Sequence, residues 1–183
     1  RSTLIAGMDL GEASRLTLTE LREWVQRVPG LVPEEVAPMA RVIVDEMTEP
    51  MQRLVELGLS YLSLDRASST LSNGERQRVQ LARAVRNQTP GVRYVLAEPT
   101  SGLHPANVDG VLAIIRQLSA DGNSVVVVDH DTRVLAAADH LIEIGPGAGA
   151  DGGRVIFQGP INEASPAPAS RIGPYMAGVR RVE

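Results

Sequence analysis

The 183-residue sequence contains no cysteine and no lysine, because each of its 18 basic residues is an arginine. The absence of cysteine excludes disulfides, thiolate zinc sites and cysteine nucleophiles. The absence of lysine excludes Schiff-base chemistry and a phosphate-binding loop of the GxxxxGK kind, whose lysine contacts the β- and γ-phosphates. One tryptophan, three tyrosines and one phenylalanine leave little for a base-stacking platform. If this protein handles phosphate, it does so without a lysine of its own.

Long hydrophobic runs and a signal peptide are also missing. No apolar stretch approaches the ~18–20 residues that a membrane helix needs, and no charged and then apolar leader opens the chain. We therefore expect a cytoplasmic protein without a membrane partner. The net charge of −4 argues against a dedicated nucleic-acid-binding module, which is usually basic on one face. The chain begins at Arg1, which indicates a processed product or a fragment.

The first third of the sequence has a helical pattern. Thr17 and Glu20 have capping-box spacing, which predicts a helix from there to about Val28. Pro33 suits the first turn of a second helix, and Pro50 predicts a bend or break within it. This second helix is expected to carry apolar side chains inward at Met39, Ile43, Met47, Met51, Leu54 and Leu57. This part of the sequence contains no recognisable catalytic motif.

From residue 62 onward, short apolar runs alternate with helical stretches. Strands are predicted over 94–97 and 124–129, and helices over 74–87, 105–120 and 132–138. Such alternation predicts an α/β fold with a parallel sheet flanked by helices, here preceded by a small helical subdomain. Segments 140–144 and 154–158 resemble a closing strand pair. We predict a helical subdomain over 1–90, an α/β core portion over 91–163 and a loosely held tail or linker over 164–183.

The first polar constellation is the string LSNGERQRV at 71–79. Ser72 and Glu75 form a second capping box, and Gly74 allows a close approach of the backbone to a ligand. The free amides and positive end of the helix that begins here favour an anion. The alternative is a well-capped amphipathic helix with an exposed arginine face.

Two further constellations follow the predicted strands. Glu98 ends the first strand, at the sheet edge where open α/β sheets bind ligands, and could orient or deprotonate a water. The alternative is an ordinary acidic residue at the start of a loop. His130 follows the second strand between two aspartates and could be a neutral donor, a cation or a metal ligand. We predict no metal site, because the other two histidines lack ligand spacing.

Taken in order, the three strings resemble the second half of an ABC-type ATPase domain. LSNGERQRV is similar to the signature motif, YVLAEPTSGLH at 94–104 to the Walker B strand with its catalytic glutamate and D-loop, and VVVVDHD at 125–131 to the switch-histidine strand. LGLSYLSLD at 57–65, SGLH and the glycine-rich string at 138–153 narrow the resemblance to the UvrA family. The resemblance covers about residues 10–165.

The resemblance implies roles for individual residues. Glu98 would position the attacking water, and His130 would contact the γ-phosphate of a nucleotide bound on its own side. The γ-phosphate of ATP held by a facing domain would be contacted by Ser72, Asn73, Gly74 and Glu75. The D-loop would consist of Ser101, Gly102, Leu103 and His104. ATP and Mg²⁺ are implied for the complete protein. The implied partners are a facing ABC ATPase domain or homodimer partner, damaged DNA and a UvrB-like repair protein.

Three departures from the family pattern shape the functional prediction. The Walker A lysine is missing, Ala97 stands where the Walker B aspartate is usual, and Asn73 replaces a signature glycine. We predict part of a UvrA-like ATPase that acts in ATP-dependent DNA damage recognition or in resistance to DNA-binding drugs. By itself the chain should bind nucleotide weakly and be inactive.

The alternatives are a degenerate, non-catalytic ABC partner and a fragment of an ABC transporter ATPase. The arginines from Arg76 onward are candidates for DNA phosphate contacts.

Overall fold

A computed structural model describes residues 4–5, 7–86, 89–147, 149 and 152–176. The chain divides into two compact units, Arg1–Val128 and Asp129–Glu183. The predicted boundaries at residues 90 and 163 fall inside the first and the second unit.

The first unit begins with helices. α1 spans Leu10–Arg15, α2 spans Leu18–Arg27 and α3 spans Ala37–Leu54, with a 3₁₀ turn at Val28–Gly30 between the last two. The predicted capping box of α2 is present, since the Thr17 N–H donates to Glu20 at 2.9 Å and the Glu20 N–H donates to the Thr17 hydroxyl at 3.3 Å. The predicted start and end of this helix are therefore confirmed.

The inward face of α3 differs from the prediction. Met51 is buried as expected, but Met39 and Ile43 are 69% and 51% exposed, and Met47 is also exposed. Residues that are spaced by four drift about 40° around a helix at every step, so such a series leaves the buried face. Spacing by seven drifts only about 20°, and the buried series is Ala37, Val44 and Met51. The helix also continues past Pro50 instead of breaking there.

The core of this helical part is a single cluster from α1, α2, α3 and the segment that follows α3. Its buried members are Ala13, Leu18, Leu21, Val25, Val44, Met51, Leu59 and Leu62. A π turn at Val55–Leu59 ends α3, and Gly58 adopts a left-handed φ of 74° within it. A Cβ at Gly58 would lie 2.9 Å from the side chains of Leu103 and Asn107. Glycine is therefore needed here both for its backbone conformation and for close packing.

The α/β part of the first unit contains two parallel strands. α4 spans Asn73–Arg86, β1 Arg93–Ala97, α5 Pro105–Ala120 and β2 Ser124–Val128. β1 and β2 pair in parallel from Arg93 opposite Ser124 to Ala97 opposite Val128. The inward residues of both strands pack with α4 and α5 in a second core cluster, built around Leu57, Leu81, Val85, Leu96, Val111, Ile114 and Leu118. The predicted α/β class, with a parallel sheet flanked by helices, is confirmed.

The opposite face of β1 and β2 is uncovered within the described residues. Val95, Val126 and Val128 are 67%, 48% and 60% exposed on it. In the described part of the chain, helices therefore cover one face of this sheet.

The second unit is built around an antiparallel strand pair. α6 spans Thr132–Ala136, β3 His140–Gly145, β4 Arg154–Pro160, α7 Ile161–Ala164 and α8 Gly173–Met176. β3 and β4 pair antiparallel from His140 opposite Pro160 to Gly145 opposite Arg154, as the closing strand pair predicted.

The segment after α7 is anchored and not loosely held, which corrects the prediction for residues 164–176. Glu143 of β3 is buried and accepts hydrogen bonds from the Ser170 hydroxyl at 2.7 Å and from the N–H groups of Arg171 and Ile172 at 2.8 and 3.2 Å. These donors precede α8 directly. The sequence signal was weak because the anchoring carboxylate lies 27 residues earlier in the chain. The rest of the predicted tail, 177–183, lies outside the described residues.

Candidate functional site

The first element of the site is the N-terminus of α4. The Ser72 N–H donates to a Glu75 carboxylate oxygen at 2.6 Å, and the Glu75 N–H donates to the Ser72 hydroxyl at 3.2 Å. This is the predicted capping box. Asn73 and Gly74 form the first turn, and the Asn73 side-chain oxygen accepts a hydrogen bond from Arg76. The positive helix end and its free amides make this turn suitable for an anion.

Glu75 is buried behind that turn and is committed to the fold. Besides Ser72, it accepts a hydrogen bond from the Tyr61 hydroxyl at 2.7 Å and pairs with Arg66 at 3.3 Å. The Tyr61 hydrogen bond, followed by those of Ser72, lowers the pKa of Glu75 from 4.5 to about 2. The same hydrogen bond raises the pKa of Tyr61. Glu75 is therefore ionised, its oxygens are already occupied, and it fixes Ser72 against the segment that precedes the helix.

Glu98 follows β1 directly and has an unusual backbone. Its φ is +50°, which is uncommon for a residue other than glycine. Its N–H donates to the Val128 carbonyl at 2.6 Å, and its carbonyl accepts from the Ser101 N–H at 3.0 Å. Pro99 is fully buried directly after it. Glu98 lies at the carboxyl end of the strand, as the sequence predicts, and its side chain is exposed.

The predicted D-loop divides into two parts. Ser101 and Gly102 are exposed and line a cleft beside the N-terminus of α4. Leu103 instead packs against the second core cluster. His104 caps α5, because its Nδ1 accepts a hydrogen bond from the Ala106 N–H at 3.2 Å. The structure therefore gives Leu103 and His104 packing and capping contacts.

A cleft of about 590 Å³ brings the predicted residues of the first unit together. Ser72, Asn73, Gly74 and Glu75 line one wall, and Ala97, Glu98, Ser101 and Gly102 line the other. Tyr61, Gln77 and Arg78 complete the lining. The sequence analysis identified the residues of the two walls as separate motifs. Only the fold places the α4 N-terminus beside the end of β1.

Arg78 belongs to the arginine run that the sequence offered for DNA phosphate contacts, but its buried position at the cleft was not predicted. It is only 6% exposed, and its Nη1 lies 3.5 Å from the Ser101 carbonyl. Among the described residues, its Nε has no hydrogen-bond partner. A buried guanidinium that lacks a full set of acceptors favours a negatively charged ligand. The signal in the sequence was the helical spacing of Arg78 four residues after Gly74, which places both on one face of α4.

Gln77 is a residue that sequence reasoning missed. Its side-chain amide lies against the peptide groups of Ala97, at 3.0 Å from the N–H and 2.9 Å from the carbonyl oxygen in the orientation that satisfies both. Gln77 thereby links α4 to the residue that precedes Glu98.

The second unit carries the predicted switch histidine. The His130 side chain is 82% exposed. Beneath it, the buried Asp129 carboxylate accepts hydrogen bonds from the N–H groups of His130 at 2.7 Å and Asp131 at 3.0 Å. Asp131 caps α6 and pairs with Arg133 at 2.8 Å, and hydrogen bonding to Arg133 lowers the pKa of Asp131. The two aspartates thus hold the loop and leave the imidazole outward.

The residues at the cleft suit a phosphate better than a metal ion. The α4 N-terminus, the Ser72 hydroxyl and the Arg78 guanidinium all favour an anion. Ala97 offers only a methyl group, and of the two carboxylates that line the cleft, Glu75 is already occupied. Within the described ranges, no group of three or more histidine or acidic side chains could hold a metal ion. The cleft therefore does not fit a protein-held Mg²⁺.

Comparisons with known proteins agree with the motif-based resemblance. UvrABC system protein A of Thermus thermophilus is 40% identical over 181 residues, which are 99% of this chain and 19% of that protein. The Escherichia coli protein of the same name is 44% identical over 147 residues, which are 80% of this chain and 16% of that protein. The chain is UvrA-like over nearly its whole length.

Solved structures support the same assignment. The crystal structure of UvrA2 from Deinococcus radiodurans matches with a TM-score of 0.86 at 37% identity, over 98% of this chain and 23% of that one. No protein-family model matches the chain. The UvrA-like chain spans about a fifth of the length of its curated relatives. None of the helices in the described part is long and apolar enough to cross a bilayer.

Proposed function

We propose that this chain supplies the signature, Walker B, D-loop and switch-histidine parts of a UvrA-like ATPase. The complete protein would act in ATP-dependent recognition of DNA damage or in resistance to DNA-binding drugs. The observation that carries the proposal is the cleft in which the α4 N-terminus faces Glu98. The expected partners are a facing ABC ATPase domain or a second copy, damaged DNA and a UvrB-like repair protein.

Two half-sites meet at this cleft. Ser72, Asn73 and Gly74 would donate hydrogen bonds to the γ-phosphate of ATP held by the facing domain, where the dipole of α4 and Arg78 stabilise negative charge. Glu75 would contribute by holding Ser72, because its own oxygens are occupied. Positioning and electrostatic stabilisation of this kind supply most of the catalysis in phosphoryl transfer.

Glu98 and His130 would serve ATP bound on the chain's own side. Glu98 would accept a hydrogen bond from the attacking water and orient it, and the exposed His130 imidazole would donate to the γ-phosphate. Ser101 and Gly102, the exposed part of the proposed D-loop, line the same cleft. ATP supplies the phosphoryl group, and the lysine that cradles it would come from a Walker A segment outside these 183 residues.

The uncovered valine face of β1 and β2 supports the proposal that the Walker A segment lies outside these residues. Val95 and Val128 are more than half exposed on it, and apolar surface of this kind usually marks a contact with other protein. We expect the Walker A-bearing part of the complete ATPase core to pack here.

The test is ATP hydrolysis by the full-length protein with Glu98→Gln. The substitution removes the negative charge but keeps the size of the side chain, so hydrolysis should fall by about 10²–10⁴-fold while ATP binding persists. Glu46→Gln, an exposed carboxylate on α3, is the matched control and should change neither. Unchanged hydrolysis with Glu98→Gln would contradict the role of this residue.

Ala97 favours a second candidate, a degenerate ABC partner that keeps the fold and does not hydrolyse ATP. Ala97→Asp in the full-length protein distinguishes the two. A sharp rise in hydrolysis would show that the remaining groups are competent and that the aspartate alone was lacking. No rise would favour the non-catalytic partner.

A further inference from the structure

Gln77 connects the helix that carries the signature motif to the strand that ends at Glu98. The Glu98 N–H points towards β2, where it reaches the Val128 carbonyl. Peptide groups along a strand point alternately to its two sides, so those of Ala97 point to the outer edge of β1. No strand within the described residues pairs with that edge. The Gln77 amide occupies this place, with an acceptor for the Ala97 N–H and a donor for its carbonyl.

The contact with Gln77 is made by Ala97, one residue before Glu98, whose backbone is strained. A residue other than glycine at φ +50° persists only when its surroundings over-determine its conformation. Two of these constraints come from Glu98 itself, through Val128 and Ser101. The third is Gln77, which fixes the preceding peptide groups. Without it, Glu98 would keep its hydrogen bond to Val128 of β2, but the Ala97 peptide groups would lose their partner at the outer edge.

We propose that Gln77 is a positioning residue that sets the placement of Glu98 relative to the α4 N-terminus. The proposal rests on the proposed function, because it assigns Glu98 and the signature turn to two nucleotide half-sites. Gln77 lies three residues after Gly74 on the same helix, so a shift of α4 when its N-terminus binds phosphate is passed to Ala97 by two hydrogen bonds. The Gln77 amide is occupied by the Ala97 peptide groups, so Gln77 acts on the site through Glu98.

The first experiment measures hydrogen exchange of the Ala97 amide in the full-length protein. Gln77→Met keeps the length of the side chain and removes both hydrogen bonds, so the protection of Ala97 should fall about five- to tenfold. Gln80→Met, an exposed position on the same helix, should leave it unchanged. Equal protection in the wild-type protein and Gln77→Met would overturn the proposal.

A second variant makes the contact depend on pH. In Gln77→Glu, an ionised carboxylate accepts from the Ala97 N–H but repels the Ala97 carbonyl, whereas the protonated acid restores both hydrogen bonds. We expect the repulsion to displace the ionised side chain, so the protection factor of Ala97, corrected for intrinsic exchange, should be low at neutral pH and rise as the introduced acid is protonated. A merely packed side chain would not respond in this way. Protection that is independent of pH would overturn the proposal.

The third measurement is steady-state ATP hydrolysis by the same variants. A positioning role predicts that Gln77→Met lowers kcat by about tenfold or more and changes KM little, since misplacing a catalytic group affects the reacting complex more than binding. Gln77→Glu should recover part of kcat at lower pH relative to wild type.

The combined results separate this proposal from the proposed function. If Glu98→Gln abolishes hydrolysis but Gln77→Met leaves kcat intact, the positioning role of Gln77 is overturned and that of Glu98 stands. If Glu98→Gln has no effect, the proposed function fails at this residue, and the exchange of the Ala97 amide still decides whether Gln77 holds the end of β1.

Discussion

At the scale of single residues, the site depends on side chains that hold other groups in place. Glu75 is the clearest case. A carboxylate next to a phosphate site would repel the ligand, but this one is turned inward to Tyr61, Arg66 and the Ser72 N–H. Its charge is neutralised locally, and the donors of the helix turn stay directed outward. The acidic residue of the signature is thus compatible with anion binding.

Glu75 should give the protein a defined acid sensitivity. Its pKa in the fold is about 2, below the ordinary 4.5, so its ionised form stabilises the fold above about pH 4.5. That contribution is lost as the pH falls from about 4.5 towards 2. Glu75→Gln should lower the free energy of unfolding by about 1–3 kcal/mol at pH 7 and weaken its fall over this pH range.

The measurement is urea unfolding of the two proteins at pH 7 and at pH 3. Glu46→Gln, at an exposed position, serves as the control and should match wild type at both. An equal loss of stability on acidification in wild type and Glu75→Gln would contradict the assignment.

At the scale of secondary-structure elements, the site is held by close packing of α5 on the π turn after α3. A Cβ added at Gly110 would lie 2.3 Å from the Glu56 carbonyl oxygen, a backbone atom that a rotamer change cannot move. α5 follows the D-loop, so its position also sets that of Ser101 and Gly102. The contact between helix and turn therefore acts on the cleft.

Gly110→Ala should destabilise the protein by about 1–3 kcal/mol, because the overlap forces α5 away from the turn. Thermal unfolding followed by circular dichroism checks this. Gly30→Ala is the matched control, since a Cβ there would meet nothing within 4 Å. Equal unfolding midpoints for the two variants would show that α5 does not pack as described.

The segment before α8 gives a second test at this scale. Ser170→Ala removes the hydroxyl that joins Glu143 at 2.7 Å and accepts from the Gly173 N–H at 2.8 Å. We expect a loss of about 1–2 kcal/mol of local stability and faster tryptic cleavage after Arg171. Ser165→Ala, at an exposed position, should leave the cleavage rate at the wild-type value.

At the scale of the whole molecule, the chain contains the polar groups that we propose for an ATP site, but no lysine. Its similarity to a fifth of a longer protein and its uncovered valine face fit a region that functions together with more chain. Arginine, hydroxyl and amide groups can complement a phosphate but do not replace the loop that cradles one.

The 183 residues alone should therefore bind Mg-ATP weakly and show no turnover above the uncatalysed rate. Isothermal titration and a phosphate-release assay measure this, with the full-length protein as the positive control. Tight binding and turnover by the isolated region would contradict the view that it is one part of a composite site.

The sequence by itself determined the local elements and the identity of the polar residues. The capping boxes at Thr17 and Ser72 follow from short-range rules, because their hydrogen bonds join residues three positions apart. The strand that ends before Glu98 and the closing strand pair were predicted from short apolar runs, each of which is a local pattern. The resemblance of the ordered motifs to the UvrA family could also be recognised from the sequence, since each motif is a contiguous string.

Only the tertiary structure decided which face of α3 is buried, that Glu75 turns inward to Tyr61, and that Gln77 meets Ala97. It also decided that Glu143 anchors the segment before α8. These contacts join residues 14 to 29 positions apart, or select between two apolar faces of one helix. Such choices depend on the packing of whole elements against one another, and local spacing does not encode them.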